Sequence, residues 1–563
     1  MYASELSYVV HADRLLYACS QDSTDTIQES ITEHNLNRVV VASCTPVTHG
    51  PLFQDCLRQA GLNEHLFAMA NIRNHCSWVH SDEPEIATAK AKDLVRMAVT
   101  RVVTQEPLQK SPVPVTQAAL VIGGGPAGMN AALTLADQGF PVHLVERQPS
   151  LGGNLLSMFF DIHLSDTDDQ LDPQTYLVDL TTRVTDHPLI TIHTSSEVFE
   201  TKGFVGDFTS RLRHENGDFD EISHGVTIVA IGGEEYRGSD YGYSSHPRII
   251  TQGQFEALIA HEMSIAEPPS KPALDLQNVN QVVMIQCIGP AEDYCARICC
   301  SVALKNALQF KERHPSAQVV ILHRDIRTYG FKERLYRQAL EKGIVFVRYD
   351  PTHRPEVDHA EEEGPIRVHF VETVLGTTLS LNPDLLVLSM PMIPAQGSRE
   401  LGTTLKVPVD MDGWFLEAHV KLRPVDFASE GVFLAGTAHY PKLLDEAIVQ
   451  AQAAASRAAT ILSRETLSTG GAIAYVDPSA CVGCLTCVRI CPYDVPQIVP
   501  ETVGVGGVVG TAYIEPAICQ GCGCCVSECP AQAIELLHYR HSQVESEVLS
   551  MFDVKPLQVQ RRG

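Results

Sequence analysis

Nowhere in the 563 residues does an apolar run approach the roughly 20 residues that cross a bilayer. The opening Met-Tyr-Ala-Ser-Glu-Leu-Ser-Tyr lacks the basic start and long apolar core of a secretory signal, so the expectation is a cytoplasmic protein that does not span the membrane. Positive charge is scarce: 42 Lys and Arg stand against 68 Asp and Glu, a formal charge of -26. Phosphate neutralisation needs the opposite balance, which excludes nucleic-acid binding as a main task. Cysteine, by contrast, is abundant, with 17 in the chain. In a chain expected in the cytoplasm, these read as metal or redox ligands rather than disulfides. Length predicts about three or four domains, and a 44% hydrophobic content suits several soluble cores.

Ala118-Ala-Leu-Val-Ile122 reads as a buried parallel strand. It empties into Gly123-Gly-Gly125-Pro-Ala-Gly128 and an alanine-rich helix. Gly123 permits the tight turn, Gly125 lets backbone approach a pyrophosphate, and Gly128 lets helix and strand pack closely. A second strand ends at Glu146, 18 residues past Gly128, where an acid binding ribose hydroxyls belongs. Strand, turn, helix, strand and acid in this order predict dinucleotide binding of the flavin type, with FAD as cofactor. Gly153 and Asn154 lie in a Leu-Gly-Gly-Asn loop that reads equally as a flavin contact or an ordinary turn. The strand from Val226 ends in Gly232-Gly233 and resembles the return strand of flavoproteins with two dinucleotide domains. The final strand closes on Gly436, before an alanine-rich helix from about Leu443 to Leu462 whose positive end would face the flavin. Thr437 stands where such flavoproteins often carry Asp.

A second Rossmann-like unit begins at Gln281-Val-Val-Met-Ile-Gln286, yet of a second glycine fingerprint only Gly289 is present. In its place come Cys287, Cys295, Cys299 and Cys300, four thiols within 14 residues. They read as a metal cluster in place of a nicotinamide site, or as a buried or redox-active Cys299-Cys300 pair. Lys305 follows on the same helix, by spacing alone a solvated lysine. Near the C-terminus, Cys481-x2-Cys484-x2-Cys487-x3-Cys491-Pro recurs as Cys519-x2-Cys522-x2-Cys525-x3-Cys529-Pro, 38 residues on. This doubled run predicts two 4Fe-4S clusters, zinc being the competing occupant. The remote cysteine before Pro ligates the other cube of the pair. One cluster then takes Cys481, Cys484, Cys487 and Cys529, and the other Cys519, Cys522, Cys525 and Cys491; Cys524 is surplus. Cys19, Cys44, Cys56 and Cys76 form no C-x-x-C and read as isolated buried thiols.

Cys19-Ser-Gln-Asp, Val39-Val-Val-Ala-Ser-Cys44-Thr-Pro, Ala70-Asn-Ile-Arg-Asn-His-Cys76, Tyr294-Cys-Ala-Arg-Ile-Cys-Cys300 and Arg324-Asp-Ile-Arg-Thr-Tyr-Gly330 resemble the wording of the HdrA family, the A-type subunits of heterodisulfide reductase, over about residues 1 to 540. The resemblance implies a thioredoxin-reductase-like FAD domain, a third 4Fe-4S cluster on Cys287, Cys295, Cys299 and Cys300, and Lys305 as a catalytic lysine close to flavin N5. It also implies an N-terminal cluster on Cys19, Cys44 and Cys76. Family members usually carry a C-x-C-G segment upstream of where this chain begins, so a truncated start is expected. The Cys287 to Cys295 loop is also shorter than in the family. The implied partners are heterodisulfide reductase B and C type subunits, a hydrogenase or formate dehydrogenase module, and ferredoxin, in a hetero-oligomer that includes a dimer of complexes as one arrangement.

The expected fold is therefore α/β, a flavoprotein with two dinucleotide-binding domains flanked by an N-terminal α/β domain and a C-terminal α+β ferredoxin domain. The expected boundaries are 1-112, 113-270 for the first part of the FAD domain, 271-383 for the second Rossmann-like domain, 384-468 for the FAD return segment, 469-540 for the ferredoxin domain, and a tail at 541-563. The expected activity is electron transfer between flavin and iron-sulfur clusters, with flavin-based bifurcation as the family's elaboration. Two rivals are a stand-alone NAD(P)H-dependent oxidoreductase, which needs the missing second fingerprint, and a metal-stabilised scaffold without turnover.

Overall fold

The computed structural model describes residues 2-161, 172-267, 274-292, 294-359, 364-516 and 518-552. The Pro-rich linker expected at 267-272 lies outside them beyond Glu267, as does the tail beyond Phe552. The chain forms two units, Pro114–Thr466 and the pair of segments Met1–Val113 with Leu467–Gly563.

The unit Pro114–Thr466 contains two five-stranded parallel sheets of the same winding. In the first, the order is Val432–Leu434, Val226–Val229, Ala119–Ile122, Val142–Val145, Ile190–His193. In the second it is Ile249–Thr251, Leu385–Leu388, Gln281–Ile285, Gln318–His323, Val345–Arg348. The central strands are short runs, apolar apart from Thr227 and buried on both faces, as parallel sheets covered on both sides require. Each sheet sends out a three-stranded antiparallel excursion, Ser196–Phe204 to Phe219–His224 in one and Glu356–His359 to Thr377–Leu381 in the other. Chain order reverses beside Ala119–Ile122 and beside Gln281–Ile285, and crevices at such switch points are where open α/β sheets bind ligands.

The strand Leu385–Leu388, expected to open the return to the flavin domain, pairs instead between Ile249–Thr251 and Gln281–Ile285. The second sheet takes one strand from each end of the 249-388 stretch. The chain changes sheets through two short antiparallel strands, Gly233–Glu235 and Met392–Pro394. This moves the boundaries read at 270 and 384 outward. Beside the first sheet, the helix Leu444–Leu462 lies on Pro126–Ala136. Ala451, Ala454, Ala455 and Ala458 share a core with Ala131, Ala132 and Leu135, and these small side chains let two helix backbones approach closely.

In the other unit, the parallel pair Val39–Ser43 and Phe67–Asn71 carries the helices Gln21–Glu33, Pro46–Gln59 and Pro84–Thr104. The strand expected between Val9 and Cys19 is absent from this described stretch, which has no partner strand to pair with. The two cysteine runs sit between the antiparallel pairs Ala474–Val476 with Ile534–Leu536 and Pro496–Val503 with Val509–Ile514. The stretch after residue 540 held no readable signal but forms a helix, His541–Met551, against Pro84–Thr104. Arg96 Nε donates to Ser550 O at 2.7 Å, and Gln543 Nε2 to Thr104 O at 3.0 Å. No helix of the described residues is long and apolar enough to cross a membrane.

Candidate functional site: a dinucleotide cradle and groups of thiols

At the C-terminal edge of the first sheet the glycines converge. Gly123 has φ +111°, and a Cβ there would lie 2.3 Å from the Ala230 carbonyl oxygen. A Cβ on Gly128 would meet the Gly123 oxygen at 1.8 Å, so helix and turn close only around glycine. Gly125 differs: its nearest neighbour would be Gly153 Cα at 3.9 Å, which leaves its backbone open at the N-terminus of Pro126–Ala136. That is the surface a pyrophosphate needs. Gly153 backs onto Gly125, and Asn154 Nδ2 donates to Gly233 O at 2.9 Å. Gly436 abuts Ala127, and Gly232 faces Thr437. The Glu146 carboxylate is buried at the end of Val142–Val145, accepting from Gly124 N at 2.6 Å and Gln148 N at 2.8 Å. Gly123, Gly125, Gly128, Glu146, Gly153, Asn154, Gly232 and Gly436 thus gather around the end of the first sheet, a set whose chemistry fits a dinucleotide.

The corresponding turn of the second sheet is built otherwise. Cys287 takes φ +62° directly after the strand, and a Cβ on Gly289 would come within 2.5 Å of the Tyr236 ring. The phenol fills the approach a phosphate would take. Around this turn the four thiols influence one another. Burial pushes the Cys299 thiol far up, with Cys300, Cys287 and Cys295 adding like charge; burial likewise pushes Cys300 up to about 11. These thiols give up their protons only to a compensating positive charge, which a metal cluster supplies. Arg297 N donates to Cys295 Sγ at 3.4 Å, and backbone hydrogen bonds from Arg324 and Arg327 reach Cys287 and Cys300. The run from His323 to Arg327 follows the strand that adjoins Gln281–Ile285, which brings its backbone to these thiols.

Lys305 is not solvated. Its Nζ donates to Glu256 Oε2 at 2.7 Å and to Phe160 O at 2.8 Å, with both partners of the ion pair about 5% exposed. Glu256 Oε1 also accepts from Phe159 N at 2.8 Å and Phe160 N at 3.0 Å. Glu256, unremarked in the sequence, therefore holds Lys305 against the segment that follows Asn154.

In the ferredoxin-like part, one small cavity is lined by Cys481, Cys484, Cys487 and Cys529. A second is lined by Cys491, Cys519, Cys522 and Cys525, with Cys524 beside them. Each cavity takes three thiols from one run and one from the other. The backbone repeats too: Gly483 and Gly521 both have φ +64°, while Leu485 and Gly523 adopt left-handed conformations one residue past the second cysteine. Among the described residues, no three His, Cys, Asp or Glu side chains converge as they would on a single ion. A four-iron cube spaces its thiolates further apart, around a cavity. Of the N-terminal cysteines, Cys19 is exposed, Cys44 follows the strand Val39–Ser43 with Arg73 Nη1 at 3.5 Å, and Cys76 is buried in the turn Arg73–Trp78. Cys56 is buried, its thiol donating to Thr24 O at 3.3 Å.

Residues 119-249 match the family described as FAD dependent oxidoreductase, and residues 480-533 the 4Fe-4S dicluster domain. Among solved structures, a thioredoxin reductase from T. acidophilum aligns with 61% of this chain and 97% of its own, at 14% identity and a TM-score of 0.43. The second A-type iron-sulfur subunit of CoB-CoM heterodisulfide reductase from Methanopyrus kandleri is 34% identical over 89% of this chain and 88% of its own. The A-type subunit of the H2:CoB-CoM heterodisulfide,ferredoxin reductase from Methanothermobacter marburgensis is 34% identical over 87% and 86%. With a third of positions identical across nearly the whole of each relative, the chain belongs to the HdrA family of heterodisulfide reductase subunits and is a flavin and iron-sulfur oxidoreductase component that transfers electrons.

Proposed function

We propose that this chain carries electrons between one FAD and three 4Fe-4S clusters, within a complex that contains heterodisulfide reductase B and C type subunits. The observation that supports this best is the division of eight ferredoxin cysteines between two cavities, each taking its fourth thiol from the opposite run. Cys481, Cys484, Cys487 and Cys529 would hold one cluster; Cys519, Cys522, Cys525 and Cys491 the second; Cys287, Cys295, Cys299 and Cys300 the third. When bound, a flavin exchanges electrons in pairs and singly, whereas each cluster takes one at a time. The chain's own part is to hold each group in its site and to set its potential through hydrogen bonds and burial. Gly125 and the first turn of Pro126–Ala136 would bind the pyrophosphate, and Glu146 the ribose. Lys305, held by Glu256, would present positive charge to the reduced flavin near N5.

By likeness to relatives whose names specify H2, heterodisulfide and ferredoxin, electrons would enter from a hydrogenase or formate dehydrogenase module. They would leave toward ferredoxin and the heterodisulfide-reducing subunits, by flavin-based bifurcation. In this reading Cys19, Cys44 and Cys76 would offer three ligands to a further N-terminal cluster, which would add irons beyond those of these three cubes. Anaerobic purification with FAD, iron and sulfide assays tests it. The expected yield is one FAD and about twelve irons per chain, four for each cube. Cys299→Ala with Cys300→Ala should remove about four irons and leave FAD bound. Four irons or fewer in the unmodified protein would sink the two-cluster ferredoxin assignment, and an iron count unmoved by the double substitution would remove the third cluster.

A further inference from the structure

The loop that carries Cys295, Cys299 and Cys300 is fastened to the flavin-side return segment at three points. Tyr294 Oη donates to Met392 O at 2.6 Å, and Tyr440 Oη donates to Cys295 O at 2.9 Å. The third fastening is made of side chains alone. Arg297 donates to Glu446 Oε1 at 2.6 Å, and Tyr329 Oη donates to the same oxygen at 2.7 Å. Arg297 also hydrogen-bonds the Tyr329 hydroxyl and lies over its ring, 5.1 Å from the centroid.

Each member belongs to a different part of the site. Arg297 sits between Cys295 and Cys299, its φ of +53° bending the loop while its backbone N–H points at Cys295 Sγ. Tyr329 closes the loop whose backbone at Arg324 and Arg327 bonds Cys287 and Cys300. Glu446 lies in the first turn of Leu444–Leu462, and its other oxygen caps Leu443 N at 3.0 Å. A charge-assisted pair on a shared carboxylate oxygen is short and directional, so it fixes all three parts together.

We propose that Arg297, Tyr329 and Glu446 are positioning residues for electron transfer: a latch that holds the Cys287 to Cys300 site against the first turn of the return helix and sets the charge that this site feels. The proposal rests on the assignment of those four thiols to a cluster. Positioning partners one shell out typically shift metal-site properties by about tenfold or more when removed.

The test uses the full chain, purified anaerobically, with redox titration of the clusters followed by electron paramagnetic resonance. Glu446→Gln keeps one acceptor oxygen for Arg297 and Tyr329, gives up the cap on Leu443 N, and removes a negative charge. The cluster assigned to Cys287 to Cys300 should become easier to reduce by about tenfold, or about 59 mV for one electron. Arg297→Gln removes a positive charge and should shift the same cluster the other way. Tyr329→Phe leaves the cap and both charges intact. It should slow flavin-to-cluster transfer, read by stopped flow, with FAD and iron contents unchanged. Opposite-sign shifts from the first two variants are what a merely structural role does not produce. Potentials and transfer rates equal to the unmodified protein, at full FAD and iron content, would overturn the latch. If Cys299→Ala with Cys300→Ala leaves the iron count unchanged, the cluster assignment fails instead, and the latch with it.

Discussion

Replacing Glu256 by Gln preserves the shape of the side chain, leaves one acceptor oxygen where the carboxylate has two, and removes the charge that faces the Lys305 ammonium. Both groups are almost wholly buried, with Nζ 2.7 Å from Oε2. In the variant, the ammonium keeps only the Phe160 carbonyl, at 2.8 Å, and a neutral amide. Removing one partner of a buried pair costs about 3–5 kcal/mol, because the other charge is left uncompensated. Gln retains an acceptor, which argues for the lower end. At about 1.4 kcal/mol per tenfold, 3 kcal/mol is roughly a hundredfold shift in local opening. The reporters are already in place, since Phe159 N and Phe160 N both donate to Glu256 Oε1. Amide hydrogen exchange at these two residues should accelerate by about a hundredfold in the full chain. Lys305→Met should cost less, about 1.5–3 kcal/mol, because the carboxylate keeps its two backbone donors. The double variant should be less perturbed than the sum of the two, with a coupling of about 1–3 kcal/mol. Wild-type exchange in Glu256→Gln, or strictly additive effects, would show that the two charges are not one unit and would remove the reason for placing Lys305 at a fixed point.

Three further outcomes follow from the geometry. Cys529→Ala should cost the same four irons as Cys529→Ala combined with Cys481→Ala, whereas combining it with Cys522→Ala should cost about eight; iron analysis of the three proteins reads the crossed ligand sets directly. Gly128→Ala places a methyl 1.8 Å from the Gly123 carbonyl oxygen, so the turn must open. The variant should purify with under a tenth of the normal FAD while keeping its ferredoxin irons, as flavin absorbance and iron assay will show. His224 is buried, hydrogen-bonded to Ser210 and Val226, and burial pushes it down from 6.5 to about 4. Between those values the unfolded chain binds the proton and the fold does not, so stability is complete above pH 6.5 and falls by about 3 kcal/mol as pH drops toward 4. Denaturant midpoints for wild type and His224→Gln should differ in slope across that window, the variant being flatter.

Much of this molecule was legible because its strongest features are local. The turn from Gly123 to Gly128 and both cysteine runs are short motifs in which backbone demands and ligand chemistry fall within a dozen residues. Their partners then appear where the motif requires: Glu146 at the strand end, Cys529 in the cavity of the opposite run. Pairings between distant segments were not legible. Leu385–Leu388 is four apolar residues that suit either parallel sheet, and only three-dimensional pairing assigns it to the second. Lys305 looked solvated because nothing near it in sequence balances it; its partner lies 49 positions earlier on a different helix. The helix His541–Met551 has weak apolar patterning and owes its place to polar contacts with Pro84–Thr104, which periodicity does not reveal.

The two sheets of the unit Pro114–Thr466 suggest why thiols replace glycines in the second. A parallel sheet with a helix after its central strand offers the same device at either switch point, a helix N-terminus with unsatisfied N–H groups and a positive dipole end. In the first sheet, that end belongs to Pro126–Ala136 and opens at Gly125 to a pyrophosphate. In the second, the helix Cys299–Arg313 begins on Cys299 and Cys300 themselves, and the neighbouring loop adds backbone hydrogen bonds to Cys287 and Cys300. A cube held by these four thiolates would be an anion, as a pyrophosphate is, so the exchange would change the ligand and retain the electrostatics. What is lost is the open backbone over Gly289, filled here by the Tyr236 ring. The Arg297–Glu446 contact ties this turn to the segment that returns to the first sheet, an arrangement that would suit a carrier of single electrons.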